Sequence, residues 1–143
     1  FQTEIATLVQ PFSKEDTWED LQNPNYVKVA IAQAYTAEST TIGRALYFSR
    51  SVVPYMRSAD KDQWLKHGTY YRHIGMYAYR ADILEKITSM APSVLEQTEC
   101  LEQLRWLEHG LTIHVGLSHH TSIGIDTPED LQAAIQHLQS ASL

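Results

Sequence analysis

The 143-residue sequence contains a single cysteine, Cys100, so no disulfide can form within it, which fits a reducing compartment. No apolar run approaches the roughly 18 to 20 residues that cross a bilayer, and no basic-then-apolar leader opens the chain. A soluble, cytoplasmic protein with no membrane association is therefore expected. Basic residues do not dominate either. A formal net charge of -6 argues against nucleic acid as a partner, because phosphate backbones are met by basic patches. The six glycines are scattered, and none of them builds a phosphate-cradling loop. An initiator methionine is also missing. The chain starts at Phe1, directly at the beginning of a strand-like stretch, and so reads as incomplete or processed.

What is present suits one globular domain: 43% of residues are hydrophobic and 20% charged. Glu4 to Phe12 is apolar and β-branched, a strand ended by Pro11. Ser13, with Asp16 three residues on, reads as the cap of a short helix through Leu21, which Asn23-Pro24-Asn25 stops. Tyr26 to Ile31 alternates as a half-buried strand, with Arg44 to Phe48 as its antiparallel partner. The polar stretch from Ala32 to Gly43 is expected as a solvent-exposed connection. Pro54 argues against a regular strand over Ser49 to Arg57, and the charged Ser58 to Thr69 reads as a mobile loop.

Arg72 to Tyr79 is an aromatic strand, with His73, Gly75, Tyr77 and Tyr79 on one face. A helix follows over Arg80 to Met90, ended by Ala91-Pro92. Ser93 and Glu96 form a capping box opening a long helix to about His109, with Gly110 as its stop. Leu111 to Leu117 is a further strand, and Pro128 to about Leu138 a final helix. Strands interleaved with helices give an α/β protein.

Four groups of residues merit chemical attention. Glu96, Glu99 and Glu102 recur at intervals of three, as a carboxylate stripe along a helix. A dinuclear metal site would need Glu-x-x-His pairs from other helices, and none occurs, so a solvated or substrate-facing stripe is the better reading. His119-His120 lacks further zinc ligands and reads as surface loop. Cys100, beside a leucine in mid-helix, reads as a small buried residue rather than a nucleophile. In Gly124-Ile125-Asp126-Thr127-Pro128-Glu129-Asp130-Leu131, Thr127 and Asp130 suffice as a helix cap. Asp126 is left over at a strand-to-helix junction, where a carboxylate can hold a hard cation such as Mg²⁺.

Several segments together resemble the 3-deoxy-manno-octulosonate cytidylyltransferase (CMP-Kdo synthetase) family. They are Asn23-Pro24-Asn25 with Val27-Lys28-Val29, and Ala45-Leu46-Tyr47-Phe48-Ser49-Arg50-Ser51 with Pro54-Tyr55. Next come Arg72-His73-Ile74-Gly75 with Tyr77-Ala78-Tyr79-Arg80, then Pro92-Ser93 with Leu101-Glu102-Gln103-Leu104-Arg105, and last Gly124 with Asp126 to Leu131. The resemblance implies the C-terminal portion of a nucleotide-diphospho-sugar transferase fold, a Rossmann-like mixed sheet flanked by helices. Residues 1–143 would form one sugar-binding and dimerisation unit, with the N-terminal nucleotide-binding half absent. It further implies transfer of CMP from CTP to the anomeric hydroxyl of Kdo, with Mg²⁺ assistance, for lipopolysaccharide synthesis. Asp126 matches the metal-binding, catalytic aspartate. His73, Tyr77, Glu102 and Gln103 match positions lining the sugar site, and Arg57 a basic residue near the sugar carboxylate. Alone, the chain is expected to be inactive. Two alternatives stay open: a non-catalytic homodimeric module joined through Tyr47 to Tyr55, and a cytidylyltransferase for another sugar acid.

Overall fold

The computed structural model describes residues 3–37, 40–119, 131–132 and 135–136. Strand β1 (Ile5–Pro11) alternates buried Ile5, Thr7 and Val9 with less buried neighbours, as the sequence pattern requires. It is the centre of a mixed arrangement. β4 (Tyr71–Tyr79) runs antiparallel on one side of it and β5 (Ile113–Leu117) parallel on the other. β2 (Lys28–Ala37) and β3 (Thr40–Ser49) form a hairpin, and β3 joins β5 antiparallel. A single pair, Lys28 with Arg72, links β2 to β4 and closes the order β1-β4-β2-β3-β5 into a barrel.

The sheet is mixed and flanked by helices, as expected. Its closure on itself is a further finding. Helices α3 (Ala81–Thr88) and α5 (Gln103–Glu108) send Ile83, Ile87, Leu104 and Trp106 into one core with Ile5, Val9, Val29, Phe48, Ile113 and Val115. Short α4 (Val94–Glu99) precedes α5. A second cluster, built on Phe12, Leu21, Trp64 and Tyr70, sits under α1 (Trp18–Gln22) and α2 (Trp64–His67).

Several expectations need correction. Ala32 to Gly43 is not a loose excursion, because the hairpin pairing continues through Tyr35 with Ile42 and Ala37 with Thr40. Ser13 and Asp16 do bond reciprocally, yet the helix begins at Trp18, where Thr17 and Asp20 complete their own capping box. Residues 58–69 are not a featureless loop. A 3-10 turn, Lys61–Gln63, leads into α2, and Trp64 is 1% exposed, its indole N–H donating to the Ala59 carbonyl at 3.0 Å.

The long helix from Ser93 is broken at Cys100, which takes the left-handed conformation (φ 52°, ψ 48°). The Leu101 N–H returns to the Glu96 carbonyl at 3.2 Å, so an exposed cysteine fills the role that glycine usually takes at a helix end. Gly110, at φ 80°, ends α5 in the expected way. No described helix is long and apolar enough to cross a membrane. Leu131–Gln132 and Ile135–Gln136 are helical, within the stretch expected as the final helix.

Candidate functional site

The candidate site forms where the far half of β4 meets the start of α5. In β4 the pairing with β1 shifts between Thr7 and Leu8: Thr7 faces Tyr77 while Leu8 faces Ile74, so two extra residues, Gly75 and Met76, bulge outward. An insertion of two keeps the alternation in phase. His73, Tyr77 and Tyr79 therefore share one face, with rings 5.3 Å apart for the first pair and 5.7 Å for the second. Trp106 of α5 meets Tyr77 and Tyr79 edge-on at 5.3 and 5.6 Å. Gln103 lies one turn before Trp106, buried on that same helical face.

The protonation state of His73 follows from its neighbours. Thr7 Oγ1 lies 2.9 Å from His73 Nε2, 3.2 Å from the Ile74 carbonyl and 2.8 Å from the Met76 carbonyl. A hydroxyl has one proton to give, and two carbonyls compete for it. His73 Nε2 must therefore carry the hydrogen and donate to Thr7, which leaves Nδ1 as a neutral acceptor. Burial pushes the imidazole down to about 4, so it stays uncharged at neutral pH.

Tyr77 is the converse case. Its hydroxyl is buried and has no hydrogen-bond partner among the described residues. Burial first, then Tyr79 and Glu102, push its ionisation above the usual phenol range. The carboxylate of Glu102, 67% exposed, also raises Tyr79 and lies 3.6 Å from Arg105. His73 and Tyr77 thus sit in ring contact on β4, with the Glu102 carboxylate beside Tyr77 and Tyr79 and with Gln103 on the Trp106 face of α5. Groups of these types can read the hydroxyls of a polyol through directional hydrogen bonds, with apolar surface to exclude water.

The structure sets His73, Tyr77 and Glu102 side by side, with Gln103 next to Glu102 at the start of α5. Arg57 makes no hydrogen bond or ion pair with them. Arg57 is exposed between Met56 and Ala59, which pack on the second cluster, and it has no ion pair or hydrogen bond among the described residues. Asp126, with Thr127, Asp130 and His120, lies outside the described residues, and His119 is exposed. Among the described residues no group of three His, Cys, Asp or Glu is placed to hold a metal.

The glutamate stripe comes apart at the Cys100 break. Glu96 pairs with Arg105, Glu99 turns to Ser49, Arg50 and Tyr47, and Glu102 faces Tyr77 and Tyr79. Thr7 escaped the sequence reading, because a threonine in a β-branched strand carries no distinguishing local signal.

Comparison with known proteins adds an independent line. A family model described as "Cytidylyltransferase" matches residues 2–113. The 3-deoxy-manno-octulosonate cytidylyltransferase of Phocaeicola vulgatus is 54% identical over 132 residues, which is 92% of this chain and 49% of that protein. That of Bacteroides thetaiotaomicron is 49% identical over 140 residues, 98% of this chain and 53% of that protein. A solved structure of CMP:2-keto-3-deoxy-manno-octonic acid synthetase complexed with CTP is similar, with a TM-score of 0.78 and 33% identity. It covers 99% of this chain and 51% of the other. The chain spans about half the length of the relatives it matches.

Proposed function

The chain belongs to the cytidylyltransferase family, and from that premise we propose that it is the sugar-acid-binding part of an enzyme that transfers CMP from CTP to Kdo. In that reaction the anomeric hydroxyl oxygen of Kdo attacks the α-phosphorus of CTP. The bond between the α- and β-phosphates breaks, pyrophosphate leaves, and the hydroxyl proton is lost to solvent or a base. Catalysis of this kind rests on positioning and charge neutralisation. The half of the family's length that this chain does not span would supply the nucleotide-binding elements, and the fragment alone is inactive.

The observation that supports this reading is the placing of His73 and Tyr77, in ring contact on β4, beside the Glu102 carboxylate and the Trp106 face of α5 that carries Gln103. Acceptors and donors of these types can orient a polyhydroxylated acid and aim its anomeric oxygen. Arg57 is proposed to meet the sugar carboxylate, and Asp126 to supply a carboxylate ligand to Mg²⁺, a hard cation that prefers oxygen. Mg²⁺, when bound, would neutralise phosphate charge. The setting proposed is the cytoplasm, with lipopolysaccharide as the destination of the activated sugar and a homodimer as the working form.

Calorimetric titration of the chain with Kdo and with sialic acid tests the reading, alongside pyrophosphate release by the chain alone and joined to the remaining half of a relative. Kdo binding by the chain, with turnover only in the joined protein, is expected. Preference for sialic acid would move the specificity to another sugar acid, and turnover by the chain alone would overturn the proposed inactivity.

A further inference from the structure

Three segments distant in sequence meet at the break between α4 and α5. The Glu99 carboxylate accepts from the Ser49 hydroxyl at 2.7 Å and from the Arg50 backbone N–H at 2.9 Å. The Arg50 guanidinium then reaches three backbone carbonyls: Nε donates to Glu99 at 2.8 Å, and the two terminal nitrogens to Pro24 at 3.0 Å and Cys100 at 3.3 Å. Lys28, fully buried, donates from Nζ to the Asn23 carbonyl at 2.9 Å beside the same glutamate. The carbonyls at the C-terminal end of α4 are thus held by the Arg50 cation, as the helix dipole favours.

The clasp closes on the left-handed residue itself. Cys100 is the point where the chain turns from α4 to α5, and Glu102 and Gln103 follow at once. An L-residue pays for a left-handed backbone unless its surroundings impose it. Arg50 grips the carbonyls of the two peptides that flank the Cys100 Cα.

We infer that Arg50 and Glu99 are positioning residues, which lock the Cys100 turn and thereby set Glu102 and Gln103 against Tyr77 for sugar-acid recognition. The recognition half of this inference rests on the function proposed above. Arg50 cannot be replaced by lysine in this role, because a single ammonium cannot span three carbonyls.

The test combines two readouts on the chain and on its Ser49→Ala, Arg50→Lys and Glu99→Ala forms. Hydrogen exchange at the Leu101 and Leu104 amides, referenced to Leu84 in α3, reports the clasp without any ligand. Calorimetry with Kdo reports recognition. Exchange at least tenfold faster, with Kdo affinity at least tenfold weaker in Arg50→Lys, is expected, and Ser49→Ala supplies a milder, folded version of the same loss. Unchanged exchange would overturn the clasp. Faster exchange with unchanged Kdo affinity would overturn its positioning role. If the parent chain binds no Kdo, the proposed function fails, and recognition by Glu102 and Gln103 fails with it, whatever the exchange shows.

Discussion

Glu96 grips Arg105 in a two-pronged ion pair, Nε to Oε2 at 2.8 Å and a terminal nitrogen to Oε1 at 2.5 Å, which ties α4 to α5 across the Cys100 break. The same carboxylate caps the Ser93 N–H, and Arg105 also donates to the Met90 carbonyl at 3.1 Å. The Arg105 guanidinium, aided by the Ser93 N–H and opposed by burial, holds the Glu96 carboxyl below its ordinary 4.5. A depressed carboxyl stabilises the fold fully above its unfolded value and loses that contribution as pH falls through its folded one. Melting temperature should therefore decline as pH drops below 4.5, and Glu96→Gln should be flatter over that range. Equal slopes in both proteins would show that the pair carries none of the acid sensitivity.

His73 gives a second, higher window. Unfolded, the imidazole titrates at 6.5; folded, burial holds it at about 4. The unfolded chain takes up the proton first, so stability is complete above 6.5 and drains away as pH falls toward 4. Between pH 7 and pH 5 the loss should be about 2 kcal/mol by urea unfolding, at 1.36 kcal/mol per unit. His73→Gln keeps a donor for Thr7 but cannot titrate, and should lack this loss.

Tyr77→Phe should separate stability from recognition. Removing a buried hydroxyl that has no partner among the described residues should leave the fold as stable as before, or more stable by about 1 kcal/mol. Kdo binding should weaken about tenfold, roughly one lost hydrogen bond. A variant that is destabilised and binds normally would place that hydroxyl in the scaffold instead.

Cys100 makes a conformational prediction. Glycine at this left-handed position should raise the unfolding free energy by up to about 1 kcal/mol. Valine, β-branched and poorly suited to positive φ, should lower it by about as much. Parallel urea curves for the two variants decide this.

Trp64→Ala tests the second cluster. The indole stacks on Tyr70 at 6.1 Å and meets Trp18 and Tyr55 edge-on at 5.3 and 4.8 Å. Truncation should cost about 3 to 5 kcal/mol in chemical denaturation. Trp64→Phe should lose less than half of that.

The sequence made the strands legible wherever burial alternates, as in Ile5, Thr7 and Val9, because side-chain period and exposure coincide there. It hid the outer half of the β2–β3 hairpin, where backbone pairing rather than an apolar pattern defines the strands. It hid α2 as well, since charged Lys61, Asp62 and Lys66 surround a single anchoring tryptophan. The break at Cys100 was invisible for a different reason. Only glycine advertises a left-handed residue, and here the restraint comes from Arg50, fifty positions away in sequence. Of the candidate site, the resemblance named His73, Tyr77, Glu102 and Gln103, and the fold sets the first two in ring contact with Glu102 beside Tyr77. Thr7, which decides which imidazole nitrogen faces outward, becomes visible only once β1 and β4 are paired.

The double pairing of β1 also fixes an order of events during folding. Residues 5–11 find one partner near residue 75 and the other only at 113–117, so both contacts close very long loops. The β2–β3 hairpin, by contrast, closes locally and can form early. A chain emerging from the ribosome would carry β1 with one hydrogen-bonding edge bare until β4 had been made, and the other bare until residues 113–117 followed, near the end of the described length. Pro11 at its end and the short span of the strand limit what such an edge can recruit.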